Sequence, residues 1–581
     1  MKYVEHLLIL TKHFIEGIPT ETSVAALSDL LCCSERHVKT IVQYLHNHQV
    51  ISWETQRGRG KKPKLTLHLN EDEVLLNETK KRIKAEQYQD AFVLMHRMSL
   101  PGKEKFRKWF SSSLGLLHKN EDNQSLDILR YPFYETDLTM DPLYITSRHD
   151  AHMVQQVFDR LVEYDTKTEQ LLPSIAHHWE SNDGKHWTFY LNKGILFHHG
   201  RELTSRDVQK TFDRLIKKKT FLINIKKITT LNDRVIIFEL EEVDYLFPRS
   251  LSSMKASIIP FELLLADGEK FSNFPVGSGP YRLTQHNENM VRLEVNRYYF
   301  ATRPWLDRID IIKAPEEWEH KTDHPFLLNQ PNEKWRQVKV IEEGATYITF
   351  NCNKDGPMRN KEFRNKICEM LNPENICNER SENEFVSISL LSQLSLTTQK
   401  KQIGRSKPLQ YDGPILRIAA QQIRTGANHA KAAEDLAEQL KNIGIPSQVS
   451  LINSREIMSN SNLSTFDLFV GGIALGSDLL LSAVNALQSP HLTIYPCLDE
   501  KMKDFITRKM IEIRRSQEET FRWQTYYEME EFLKSERAIF FLTHRSHSVY
   551  ELTDSPYVNI KLNHHGRIDY RKVWKKYTFS N

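Results

Sequence analysis

SERHVKTIVQYLHNHQVISWETQRGRGKKPKLTLHL (Ser34–Leu69) joins three patterns in a set order, and the fold of the N-terminal part turns on it. Ser34 is an N-cap residue. Val38, Ile41, Val42 and Leu45 then recur at i, i+3, i+4 and i+7 spacing, so a helix starts here and buries that stripe. Glu35, Arg36, Lys39, Thr40, Gln43 and Asn47 are left on the opposite face. From Val50 the period falls to two, giving a strand over 50–55. Gln56–Lys64 is a glycine-containing loop, and Leu65–Leu69 alternates as a second strand. Two shorter helical patterns precede Ser34. The first carries Leu7, Leu8, Leu10, Phe14 and Ile15 and stops at Pro19; the second carries Leu27, Leu30 and Leu31. Helix, helix, helix, hairpin is the order of a winged helix-turn-helix, α-helical with a β-hairpin wing. In that fold the third helix enters a major groove and the hairpin loop meets phosphate or minor groove.

Charge follows the same outline. Between Arg36 and Leu69 the cations are Arg36, Lys39, Arg57, Arg59, Lys61, Lys62 and Lys64, opposed by Glu54 alone. Gly58 and Gly60 let the loop backbone turn tightly and approach another surface closely. A basic turn by itself is an ordinary solvated loop; one that follows a helix-turn-helix pattern points to double-stranded DNA. Arg36, Lys39, Thr40 and Gln43 are the candidates for the groove face, with Lys39, Thr40 and Gln43 reading bases. Arg57, Arg59, Lys61 and Lys62 are the candidates for phosphate. The loop lacks the GxxxxGK[ST] spacing of a nucleotide phosphate loop.

Over the whole chain this basic character disappears. The 581 residues carry 79 Lys and Arg against 75 Asp and Glu, a formal charge of +4, with 40% hydrophobic and 27% charged residues. That is a soluble globular composition of two to four domains, with basic surface confined to one region. Six cysteines without a CxxC pair point to reduced thiols. In MKYVEHLLILTKHFIEGIP (Met1–Pro19), charged residues break the apolar run, so no secretory signal is expected. The most membrane-like stretch, Leu468–Leu487, contains Asp478, which would cost about 3 kcal/mol near a bilayer centre. A strand from Phe466 to Ile473, then a helix capped by Ser477 or Asp478, fits it better. A cytoplasmic protein without a membrane partner is expected.

The sequence divides into a head (1–74), a helical connector (75–125) and a large body (126–581). Leu75–Met98 is a charged helical stretch, Pro101–Gly102 breaks it, and the polar HKNEDNQS (118–125) ends the connector. The body alternates strands and helices. LRIAAQ, AKAAEDLAEQLKNIG and IPSQVSL form a strand–helix–strand unit between Leu416 and Leu451. That much mixed α/β structure predicts two lobes with a ligand cleft between them.

Five motifs in the body occur in a recognisable order. They are LLPSIAHHWESNDGKHWTFYLNKGILFHHGRELTSRDVQKTFDRL (171–215), FPVGSGPYRL (274–283), LEVNRYYF with RPWLDRIDI (293–311), YITFNCNKDGPMRNKEFRNKI (347–367) and NHHGRIDYRKVW (563–574). Together they resemble the family 5 solute-binding proteins of peptide and nickel uptake. The resemblance implies a two-lobed α/β body of the type II periplasmic-binding-protein kind. Joined to the winged head, it resembles the SgrR-type regulators, which implies transcriptional control through DNA with a small-molecule effector sensed by the body, and leaves RNA polymerase open as a further partner. On the resemblance, Phe350, Asn351 and Asp478 are the ligand-binding candidates, and TFNCN and GSGPY lie beside the cleft or hinge. In the peptide binders an aspartate takes the ligand's amino terminus. GGIALGSD (471–478) departs from that pattern, with Leu475 or Gly476 at the aspartate's place, so a sugar, a sugar phosphate or a modified peptide all stay open.

No GxSxG elbow, P-loop or Cys–His pair with a third member is present, so no catalytic residues and no cofactor are expected. The histidine pairs at 177–178, 198–199 and 564–565 are adjacent in sequence, which in a strand sends them to opposite faces, and no metal site is expected. The rival reading is a solute- or oligopeptide-binding component of an ABC uptake system with an N-terminal extension. The absent export signal and the basic segment speak against it.

Overall fold

The computed structural model describes residues 3–56, 58, 61–121, 124–133, 138–145, 148–218, 224–266, 268–315, 335–374, 376, 384–396, 410–422, 429–453, 463–552, 557–560 and 568–576. Arg57, Arg59, Cys377 and the 564–565 histidine pair lie outside them.

The head contains helices α1 (Val4–His13), α2 (Val24–Leu30) and α3 (Glu35–Asn47) and strands β1 (Thr20–Glu21), β2 (Ile51–Glu54) and β3 (Lys64–Leu67), with β3 between the other two. Antiparallel pairing sets Ile51 opposite Leu67 and Trp53 opposite Leu65. Ile51, Leu65 and Leu67 are buried against Val38, Ile41, Val42 and Leu45. Each such side chain, fully removed from water, contributes about 1.5–3 kcal/mol.

The connector is more than a charged rod. The stretch predicted as one helix is two, α4 (Glu71–Lys84) and α5 (Tyr88–His96), followed by α6 (Leu100–Ser111). Glu86 breaks it, with φ at +59°. This left-handed residue turns the chain so that Ile83, Tyr88 and Phe92 reach one core, shared with α1–α3 and with Met290, Ile312 and Ala314 of the body. The polar 118–125 stretch falls within a hairpin of β4 (Gly115–Glu121) and β5 (Gln124–Phe133). Its side chains satisfy one another: His118 Nδ1 lies 3.0 Å from Asp127 Oδ1, and the Ser125 hydroxyl 2.8 Å from His118 Nε2.

β5 carries the chain into a five-stranded sheet ordered Tyr281–His286, Met290–Val295, Arg308–Lys313, β5, β4, in which Arg308–Lys313 runs parallel to β5. One face packs Leu129, Tyr131, Val291, Leu293, Ile309 and Ile311 into the body's core. The other face meets the head. A four-stranded sheet (176–240) has its own core, over which lies the helix Ser205–Lys217, closed by a capping box between Thr204 and Asp207. The second half of the chain forms a seven-stranded sheet ordered Trp335–Ile341, Ile539–Leu552, Gly344–Phe350, Leu468–Ala474, Leu416–Gln422, Ser447–Asn453, with Glu384–Val386 paired to Ile539–Leu552. The strand–helix–strand unit lies in this sheet; Gly444, at φ +91°, follows its helix.

Leu468–Leu487 is a buried strand (Leu468–Ala474) and a helix (Leu479–Gln488). Asp478 is the cap, accepting the Leu481 N–H at 3.0 Å. Among the described residues no helix is long and apolar enough to cross a membrane.

Candidate nucleic-acid interface and interlobe cluster

The Ser34 hydroxyl accepts the His37 N–H at 3.4 Å and starts α3. With the apolar stripe buried, Arg36, Lys39, Thr40 and Gln43 are exposed together on the outer face. Thr40 Oγ1 donates to Arg36 O at 3.2 Å, which leaves its methyl group and acceptor lone pairs outward. Lys61 and Lys62 are exposed in the β2–β3 loop. Gly58 in that loop has φ +137°, a backbone region closed to side chains with a Cβ, and its carbonyl accepts the Lys61 N–H at 3.3 Å. Among the described residues no carboxylate pairs with Arg36, Lys39, Lys61 or Lys62. Their charge therefore stays available to an outside anion.

Phe350 and Asn351 have work within the fold. Phe350 is fully buried at the end of its strand, opposite Leu468. The Asn351 amide donates to Leu463 O at 2.8 Å and Phe466 O at 2.9 Å, and its oxygen accepts the Lys354 N–H at 3.2 Å. GSGPY is also packed tightly: a Cβ on Gly277 would sit 2.0 Å from Val157 O, and one on Gly279 2.5 Å from Val157 C. Beside it the buried Asp159 accepts hydroxyls from Ser278 and Tyr299, each at 2.9 Å. Burial outweighs those bonds and pushes its carboxyl up to about 6.

Asp478 is held by a partner the sequence did not suggest. Arg249 donates from Nε to Asp478 Oδ2 at 2.7 Å and from Nη2 to Oδ1 at 2.5 Å. Its Nη1 donates to both Glu519 oxygens at 2.8 Å, and Arg522 reaches the same carboxylate at 3.0 Å. Arg249 lies on the short helix Phe247–Ser250, whose Phe247 belongs to the core of the four-stranded sheet, while Asp478 and Glu519 belong to the other half of the chain. Arg514, donating to Asp244 at 2.9 Å, adds a second ion pair across the same junction. Any ligand group using Asp478 must displace a guanidinium.

A third charged group joins body to head. In the five-stranded sheet Arg130, Asp310 and Arg292 stand opposite one another in one row. Asp310, fully buried, accepts Arg130 Nη2 at 2.7 Å and Arg292 Nε at 2.7 Å; Arg292 Nη2 donates to Glu86 Oε1 at 2.6 Å. Burial alone would raise the Asp310 carboxyl, but the Arg292 hydrogen bond and the Arg130 and Arg308 charges hold it below the usual carboxylate range. The adjoining Gln89 N–H donates to Asn289 Oδ1 at 3.0 Å, and its amide donates to Lys313 O at 2.9 Å. No sequence signal marks these pairs, since the partners lie about 200 residues apart.

The histidine pairs separate. His198 Nε2 bonds Gly279 O at 3.0 Å, whereas His199 Nε2 lies 3.0 Å from Glu262 Oε1.

A basic helical head on a two-lobed binding-protein body defines the class, and comparison with known proteins agrees. Residues 2–121 match the family model described as the N-terminal part of sugar transport-related sRNA regulators, and 170–323 match that of bacterial extracellular solute-binding proteins, family 5. The chain belongs to the SgrR type. It is 29% identical over 358 residues to the HTH-type transcriptional regulator SgrR of Yersinia enterocolitica, covering 61% of this chain and 62% of that one. It is 29% identical over 401 residues to YhjP of Bacillus subtilis, 67% of this chain and 68% of that one. The match thus spans about three fifths of the Yersinia regulator's length. Among solved structures, the oligopeptide-binding protein AppA of Bacillus subtilis, in complex with a nonapeptide, superposes with a TM-score of 0.58 at 18% identity, covering 78% of this chain and 99% of AppA. NikZ of Campylobacter jejuni, in complex with Ni(L-His), gives 0.59 at 19%, covering 77% of this chain and 99% of NikZ. At these identities the likeness is one of fold.

Proposed function

We propose that this chain is a cytoplasmic, non-enzymatic transcriptional regulator whose head binds double-stranded DNA as a winged helix-turn-helix and whose body senses a small molecule. The observation that carries the reading is the exposed face of Arg36, Lys39, Thr40 and Gln43 beside the Lys61–Lys62 loop, with its cations unmatched by carboxylates among the described residues. The printed name of the Yersinia relative supports the same reading. In the complex α3 lies in the major groove, and Arg57, Arg59, Lys61 and Lys62 meet phosphate.

The body's effector is a small molecule taken up between the lobes, with Asp478 and the Phe350–Asn351 segment near it. Because Arg249 already sits on Asp478, a ligand lacking a free α-amino group, such as a sugar or a blocked peptide, fits with less rearrangement. For an effector to change DNA affinity it must bind one lobe arrangement more tightly than the other, and a coupling of about 1–3 kcal/mol changes operator affinity roughly 5–150-fold. RNA polymerase contact is the route left if DNA affinity does not respond.

Fluorescence anisotropy of the full chain on duplex DNA from its own upstream region tests the reading. Specific binding should exceed binding to random duplex and fall with salt, by a log–log slope of about −0.9 per phosphate contact. Equal binding to both duplexes, or none, overturns it. A thermal-shift screen of sugars, sugar phosphates and peptides, followed by calorimetry with and without operator DNA, tests sensing. Reciprocal coupling requires DNA to change effector affinity by the same factor.

A further inference from the structure

A cavity of about 460 Å³ opens at the end of the five-stranded sheet, lined by Gln124, His198, Arg282, Glu294, Arg297 and Arg308 among others. All of its lining residues lie between Gln124 and Arg308, so the seven-stranded half contributes nothing to it. The volume is that of an ordinary small-molecule site.

Its charges do not cancel. Arg282 is matched by Glu294 at 3.0 Å, and Asp307 by Arg303 at 2.5 Å and by the Asp127 N–H at 2.9 Å. His198 adds no charge: its Nδ1 accepts the Gly277 N–H at 3.3 Å, and burial pushes it down to about 4. Arg297 and Arg308 are then in surplus. Arg297 Nη2 donates to the Gln124 amide at 2.8 Å and meets no carboxylate among the described residues. Arg308 Nε lies 3.4 Å from Asp310, a carboxylate that already accepts two shorter guanidinium bonds. Guanidinium forks match the flat, two-oxygen edge of carboxylates and phosphates.

We propose that this cavity binds a compact oxyanion, the phosphate or carboxylate group of a small molecule, between Arg297 and Arg308. The site is separate from the space between the lobes and does not depend on what binds there. It is also wired to the head: Arg308 neighbours Asp310, Asp310 holds Arg292, and Arg292 holds Glu86. An anion that draws Arg308 away from Asp310 strengthens the remaining bonds that seat the head.

Titration calorimetry of the full chain with inorganic pyrophosphate and, separately, citrate at constant ionic strength tests this. Saturable one-to-one binding is expected in at least one arm, and the arm that saturates identifies the group preferred. Arg297→Gln, a change at an exposed side chain, should weaken binding about 10-fold or more, as the loss of one charge-assisted contact of about 1.4 kcal/mol implies. Lys227→Gln, on an exposed cation of the four-stranded sheet, should leave it unchanged. Arg308→Met, checked by circular dichroism for retained fold, should abolish it. No saturation in either arm, or equal weakening by Arg297→Gln and Lys227→Gln, overturns the proposal.

Discussion

Arg249 grips Asp478 through two nitrogens, at 2.7 and 2.5 Å, and so joins the half of the body that holds the four-stranded sheet to the half that holds the seven-stranded one. Asp478 is buried, and its other role is to cap a helix. Removing one partner of such a pair leaves a charge without compensation. Arg249→Ala should therefore cost about 3 kcal/mol or more of stability. Arg249→Met with Asp478→Asn should recover much of that loss, since neither residue then buries a charge. Urea unfolding of the two variants checks this, and a double variant no more stable than Arg249→Ala would show that the ion pair is not what holds the junction.

The two groups of head cations should behave differently on DNA. Lys61→Ala should weaken binding to specific and random duplex alike and reduce the salt slope by about 0.9. Gln43→Ala should alter preference at one base pair, by roughly 1–3 kcal/mol. Anisotropy against a panel of single-site operator variants separates them. If both substitutions act alike on every duplex, α3 does not read bases.

How far the sequence could be read depended on range. The stripe Val38, Ile41, Val42, Leu45 and the alternation in β2 and β3 are local periodicities, and they place those elements within a residue or two. The unit around Leu416–Leu451 was legible for the same reason. Leu75–Met98 was read as one helix because Glu86 is not a residue that announces a left-handed turn. HKNEDNQS was read as a link because its polar residues pair with each other across a hairpin, leaving no apolar trace. Asp478 was found as a cap, but its partner Arg249 lies 229 residues earlier in the chain, and only the fold brings them together.

Acid should destabilise the body through His429. This buried side chain is pushed down from 6.5 to about 4, with burial the largest cause. Folded, it stays neutral where the unfolded chain takes up a proton. Its contribution is fully present above about pH 6.5 and is lost as pH falls toward 4, at about 1.4 kcal/mol per unit, or roughly 3 kcal/mol across the window. Asp159, raised from 3.8 to about 6, has the opposite sign: its contribution is present below 3.8 and lost as pH rises through 6. His429→Gln should flatten the loss between pH 6.5 and 4. An unchanged pH profile of the denaturation midpoint in that variant would exclude His429 as the source.

Where the head can be cut from the body follows from which strands and side chains cross between them. The core shared by α1–α6 ends at Leu114, which is itself buried in it. The next residues form β4, whose only sheet partner among the described residues is β5, a strand of the body. A fragment of residues 1–114 keeps its apolar core and loses only the cover given by Met290, Ile312 and Ala314, together with the Glu86–Arg292 and Gln89 bonds. It should fold, melt cooperatively at a lower temperature than the head does in the full chain, and still bind DNA. A fragment of residues 1–121 carries β4 without its partner. Unpaired strand edges recruit other chains, so this longer piece should self-associate. Sedimentation velocity and circular dichroism melts of the two fragments decide the matter. A monomeric 1–121 as stable as 1–114 would mean that β4 is harmless alone, and an unfolded 1–114 would mean that the body is part of the head's core.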